Sequence, residues 1–83
     1  MKLSVVLAKF LLTSVSEGTN LVYWGDLGSK DEPIYRIMYS DSDGNEYEAD
    51  FADQEVTWVS GNEFVISCDG QPWTFAAWRP ANG

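Results

Sequence analysis

With 83 residues, 13 Asp and Glu against 5 Lys and Arg, and a net charge of -8, the chain has room for one core and repels nucleic-acid phosphates and anionic membrane surfaces. It contains no His, which excludes Ser-His-Asp and Cys-His arrangements and leaves acid-base chemistry to carboxylates. A single Cys excludes an internal disulfide and a Cys-based metal cage, while four Trp, four Tyr and four Phe supply bulk for a core that needs no such staples.

The expectation is one compact domain over residues 1–83, with a radius of gyration of roughly 12 Å. Its amino end, Met1-Lys2 followed by Leu3 to Ala8, has the look of a secretory signal until Lys9 interrupts it. The uncharged run is too short for a signal core or a bilayer span, so the expected location is cytoplasmic, with no leader removed. Leu3, Val6, Leu7, Phe10 and Leu11 fall on one helical stripe, whereas Val5, Val6, Thr13 and Val15 are β-branched and favour extended backbone. A strand is the preferred reading and a short helix the alternative.

Asn20 to Trp24 reads as a strand. Gly25-Asp26-Leu27-Gly28-Ser29-Lys30 has neither the spacing nor the following helix of a phosphate-binding loop and reads as a surface loop. Glu17-Gly18 before it and Asp43-Gly44-Asn45, Gly61-Asn62 and Asp69-Gly70 after it punctuate short segments rich in Val, Ile, Tyr, Trp and Phe. That pattern predicts an all-β fold, an antiparallel meander of five to seven short strands forming a twisted sheet or small barrel.

Pro33 to Tyr39 and Glu46 to Phe51 form the first predicted hairpin. A loop of three or five residues sets Tyr35, Ile37 and Tyr39 beside Tyr47, Ala49 and Phe51, whereas a two-residue loop mixes carboxylates with the aromatic face; the odd length is preferred. In the second, a two-residue Gly61-Asn62 turn pairs Val59 with Phe64 and Thr57 with Ile66. Asp69-Gly70 then pairs Phe64 with Phe75 and Ile66 with Trp73, giving a three-stranded meander with one apolar face. Cys68 reads as a small buried hydrophobe, since no His is present to activate its thiol.

Charge is the feature left to explain. Between Arg36 and Arg79 the chain has no basic residue, yet Asp41, Asp43, Glu46, Glu48, Asp50, Asp53 and Glu55 crowd into fifteen positions. In the preferred register Glu46, Glu48 and Asp50 project from one side of a strand, about 6.8 Å apart. A solvated outer face that guards a strand edge explains this in part, but such faces usually mix signs. The functional reading is a carboxylate row without cations, similar in charge and rough repeat to nucleic-acid phosphates, that occupies the basic groove of a nucleic-acid-binding protein. In size and charge the chain resembles small acidic phage proteins that block host nucleases or CRISPR complexes.

These seven acids, with Trp58 and Trp78 as exposed apolar contacts, are the candidate partner-binding residues. The expected role is inhibition by charge complementarity, with no catalysis, cofactor, metal, nucleic acid or membrane. Two alternatives differ in kind. Exposed Trp could stack on sugars or anchor a protein contact. Asp41-Ser42-Asp43-Gly44-Asn45 opens like a calcium loop, but Glu46 and Ala52 replace the Gly and the bidentate Glu that such a loop requires.

Overall fold

The apolar alternation of these segments builds two sheets around a shared core in a computed structural model, which describes residues 1–16, 18 and 22–78. Helix α1 (Leu3–Lys9) precedes seven strands: β1 (Leu11–Val15), β2 (Tyr23–Asp26), β3 (Ile34–Ser40), β4 (Glu46–Ala52), β5 (Thr57–Trp58), β6 (Glu63–Cys68) and β7 (Gln71–Trp78). One antiparallel sheet has the order β2-β3-β4 and the other β1-β7-β6-β5. The fold is thus all-β, with its strands shared between two sheets. Its radius of gyration is 12.2 Å.

Both registers argued from alternation are present. Tyr35, Ile37 and Tyr39 stand opposite Phe51, Ala49 and Tyr47, across a loop of residues 41–45. Phe64 stands opposite Phe75 and Ile66 opposite Trp73. Asp69 and Gly70 close that hairpin with φ of 52° and 81°, the positive pair that a tight two-residue turn demands.

The β5–β6 register corrects the expectation. Val59 N–H donates to Glu63 O at 2.9 Å, so the loop holds Ser60, Gly61 and Asn62, and Trp58 rather than Val59 faces Phe64. One residue of slip exchanges the two faces of a strand. An indole buries far more apolar area than a valine, so the register that packs Trp58 is favoured. Trp58 is half-buried between Phe10 and Phe64, at ring distances of 5.3 and 5.4 Å, and Val59 is exposed.

The first segment is both helix and strand. Leu3, Val6 and Leu7 are buried on one side of α1, and a seven-residue helix owes its stability to that packing rather than to propensity. Its amino end is held by the segment after β4: Leu3 N–H donates to Gln54 O at 2.7 Å and Ser4 N–H to Asp53 Oδ1 at 3.0 Å. The preference for a strand holds from Leu11 onward.

The second predicted strand is displaced toward Tyr23–Asp26, with Asn20 and Leu21 lying outside the described residues, as does Glu17 of the Glu17-Gly18 turn. Gly25 and Asp26 therefore belong to β2, opposite Arg36 and Tyr35, rather than to a loop. In the loop that follows, Leu27 and Gly28 N–H both donate to Ile34 O, at 2.9 and 3.3 Å. A side chain at Gly28 would overlap Glu32 O and Ile34 N.

An unbroken chain of aromatic rings crosses the core. Phe10, Trp58, Phe64, Phe75, Phe51, Trp73, Tyr39 and Tyr47 succeed one another at centroid distances of 5.3 to 5.6 Å. Phe51 on β4 meets Trp73 and Phe75 on β7, which is how the two sheets face each other. Cys68 is half-buried at its margin, with burial first and then Asp69 and Asp50 pushing its thiol up. Among the described residues no helix is long and apolar enough to cross a membrane.

Candidate functional site

The outer face of the β2-β3-β4 sheet carries the acidic strand. Glu46, Glu48 and Asp50 are exposed and alternate with Tyr47, Ala49 and Phe51 on the opposite face, as expected. Opposite them on β3 stand Ser40, Met38 and Arg36. A row without cations is not what results. Arg36 Nε and Nη2 donate to the two Asp50 carboxylate oxygens at 2.8 and 3.1 Å, and Nε lies 3.7 Å from Glu48.

The physical reason is the register itself: aligning Tyr35 with Phe51 sets Arg36 opposite Asp50. The hydrogen bond from Arg36 holds the Asp50 carboxyl below its ordinary range, and the same bond raises the guanidinium. Among the described residues, Asp43 and Glu46 have no ion pair.

At the hairpin tip Asp41 organises the loop. Its Oδ1 accepts from the N–H of Asp43 and Asn45 at 2.9 and 3.0 Å, and its Oδ2 from Asn45 Nδ2 and the Tyr47 hydroxyl at 3.2 and 2.9 Å. Partial desolvation, the largest single influence, pushes this carboxyl up. The bonds from Asn45, Tyr47 and Asp43 together outweigh it and hold the group below its ordinary value. Tyr47 is raised in return, first by its bond to Asp41.

Asp53 and Glu55 lie at the far end of β4, about 20 Å from Glu46 for a strand of this length. Asp53 accepts from both the N–H and the hydroxyl of Ser4, at 3.0 and 3.1 Å. Glu55 pairs with the Met1 α-amino group at 2.9 Å, and its backbone forms an isolated antiparallel β-bridge with that of Lys2. Of the seven sequence-selected acids, only Glu46, Glu48 and Asp50 share a strand face. Asp41 and Asp43 sit at its tip, and Asp53 and Glu55 fasten α1.

Beside the acidic row, at the hairpin end of the sheet, lies a groove of about 580 Å³ lined by Tyr23, Met38, Ser40, Gly44, Glu46 and Glu48, and also by Tyr39 and Tyr47 from the other face. Tyr23 and Met38 are exposed on the solvent side of the sheet. Sequence reasoning missed both. Met38 opposite Glu48 was implicit in the hairpin register, whereas Tyr23 depended on the pairing of β2 with β3, which no local signal announces.

The two candidate tryptophans separate. Trp78 is exposed, opposite an equally exposed Leu11, while Trp58 is half-buried and packs against the core through Phe10 and Phe64. Trp73 packs inward as expected, edge-on to Tyr39 and Phe51. The oxygen-rich tip turns the Asp41 carboxylate inward onto its own loop, and the described residues contain no group of three or more metal-ligating side chains. The chain matches no known family description, curated protein or solved structure.

Proposed function

We propose that this is a non-enzymatic acidic binding protein that docks the outer face of its three-stranded sheet onto a basic surface of another protein. The observation that carries the reading is Glu46 and Glu48, two exposed carboxylates on one face of a strand, continued at the tip by Asp43. Held about 6.8 Å apart by the sheet, they need no reorganisation to meet cations, and the net charge of -8 steers a basic partner toward them. The carboxylates act by charge complementarity and not as acids or bases.

Nucleic-acid-binding proteins present such basic surfaces, and a protein seated there inhibits by keeping phosphates out. Small acidic phage inhibitors of host nucleases and CRISPR complexes work on this general plan. Because Arg36 neutralises Asp50, the available row is short and suits a compact basic patch better than a long groove. The proposed setting is the cytoplasm.

The test is capture of proteins from the native cell lysate on the immobilised chain, eluted with rising salt. Capture of basic proteins that elute by about 0.5 M salt, where screening reaches within a few ångströms, is the expected result. The Glu46→Lys/Glu48→Lys double variant, verified as folded, should lose them. An unchanged set of captured proteins would remove the acidic strand from the function.

A further inference from the structure

We infer that the groove beside the acidic row seats one arginine side chain of the partner protein, stacked on the Tyr23 ring, its stem over Met38 and its guanidinium against Glu46 and Glu48. This deepens the acidic-docking reading and rests on it.

Strand register puts the parts together. Tyr23 stands opposite Met38 and Met38 opposite Glu48, so a ring, a thioether and a carboxylate form one row across three strands about 4.8 Å apart. Glu46 lies two residues further along the same face, opposite Ser40. The groove of about 580 Å³ is ample for one long side chain.

The exposure of these groups is informative. Most aromatic rings of the protein join the core chain; Trp24, next to Tyr23, is also exposed but turns edge-on to Tyr35. Tyr23 and Met38 remain 56% and 38% exposed, beside two carboxylates. An apolar floor with an acidic wall matches a side chain that has an aliphatic stem and a cationic head.

Arginine fits better than lysine for two reasons. A planar guanidinium stacks on an aromatic face and meets carboxylates through a rigid fork of donors, whereas an ammonium does neither. The adjacent row also shows how this sheet holds a guanidinium. There Gly25, Arg36 and Asp50 stand side by side, with two bonds from Arg36 to Asp50 and no side chain on the β2 position. In the next row the ring of Tyr23 is present and, among the described residues, the cation nearest Glu48 is the same Arg36, only at 3.7 Å. A partner arginine would complete that row.

The probe is an end-capped hexa-arginine peptide titrated into the full chain at low ionic strength, with hexa-lysine as its comparator and NMR of the Tyr23 ring and Met38 methyl as the readout. Saturable shifts at both groups, with the arginine peptide binding more tightly, are expected. Tyr23→Ala should weaken arginine binding roughly two- to fivefold and narrow the preference over lysine, while Tyr23→Phe keeps both. Both side chains are exposed, and an unchanged amide spectrum elsewhere verifies the fold of each variant.

Equal binding of the two peptides, unaffected by Tyr23→Ala but lost in Glu46→Lys/Glu48→Lys, would overturn the arginine seat and leave acidic docking standing. Absence of binding by either peptide would remove both. Tighter binding of spermine than of the arginine peptide, or self-association through these residues, would give the groove to another ligand and overturn the inference.

Discussion

Arg36 and Asp50 face each other across β3 and β4 through two N–H···O bonds of 2.8 and 3.1 Å, and this pair separates the acidic strand into a neutralised end and a charged end. Toward the core end the charge is cancelled within the sheet. Toward the hairpin tip, Glu48, Glu46 and Asp43 give the surface its sign.

Arg36→Gln should therefore lower the melting temperature, because Asp50 and Glu48 then lose the cation they share. Raising salt from about 10 mM to about 500 mM shortens the screening length severalfold and should shrink the difference from the wild type. A difference that is independent of salt would show that Arg36 acts through its stem and not through its charge.

Asp41 and Asp50 both have folded-state carboxyls below the ordinary range. A depressed folded value means that their stabilisation is fully present above the unfolded value of about 4 and is lost as pH falls through the lower folded value. Carboxyl titration by NMR should place both below about 4, and Asp41→Asn should flatten the acid limb of the stability curve. An ordinary Asp41 value would contradict the loop hydrogen bonds.

Trp58→Ala should destabilise the fold by about 3 kcal/mol, because it removes a ring packed between Phe10 and Phe64. Val59→Thr, at an exposed position, should stay within about 0.5 kcal/mol of wild type. Chemical denaturation of the two variants checks the β5–β6 register, since a two-residue Gly61-Asn62 turn would reverse their order.

Gly28→Ala should destabilise by about 2 kcal/mol or more, since the added carbon overlaps the backbone of Glu32 and Ile34. Gly61→Ala meets nothing within 4 Å and serves as the control. Equal melting temperatures for the two variants would mean that the loop after β2 gives way without cost.

Asp53→Ala should lower stability by about 1 kcal/mol, the usual loss when a helix amino terminus forfeits its capping acceptor. Partner binding should persist, because Asp53 holds Ser4 of α1 rather than facing the groove. Loss of capture at a temperature where the variant is folded would return Asp53 to the docking surface.

The candidate site was half legible in the sequence. Glu46, Glu48 and Asp50 sharing a face follows from alternation, and so does Arg36 opposite Asp50 once Tyr35 is paired with Phe51. Tyr23 was not legible, because pairing of β2 with β3 is a choice among sheet edges that neither turn chemistry nor alternation makes. Asp53 and Glu55 sat in the same acidic run, yet fold onto α1.

The sequence by itself determined the all-β class and two hairpin registers. A positive-φ Asp69-Gly70 turn and the demand that Tyr35, Ile37, Phe64 and Phe75 share buried faces leave one consistent pairing each. Tertiary structure decided what local preference left balanced: α1 forms because Leu3, Val6 and Leu7 find a core and Asp53 and Gln54 accept its first N–H groups, and β5 shifts because a tryptophan gains more from burial than a valine. Both outcomes depend on partners distant in the chain, whose burial energy exceeds the propensity differences readable in a short window.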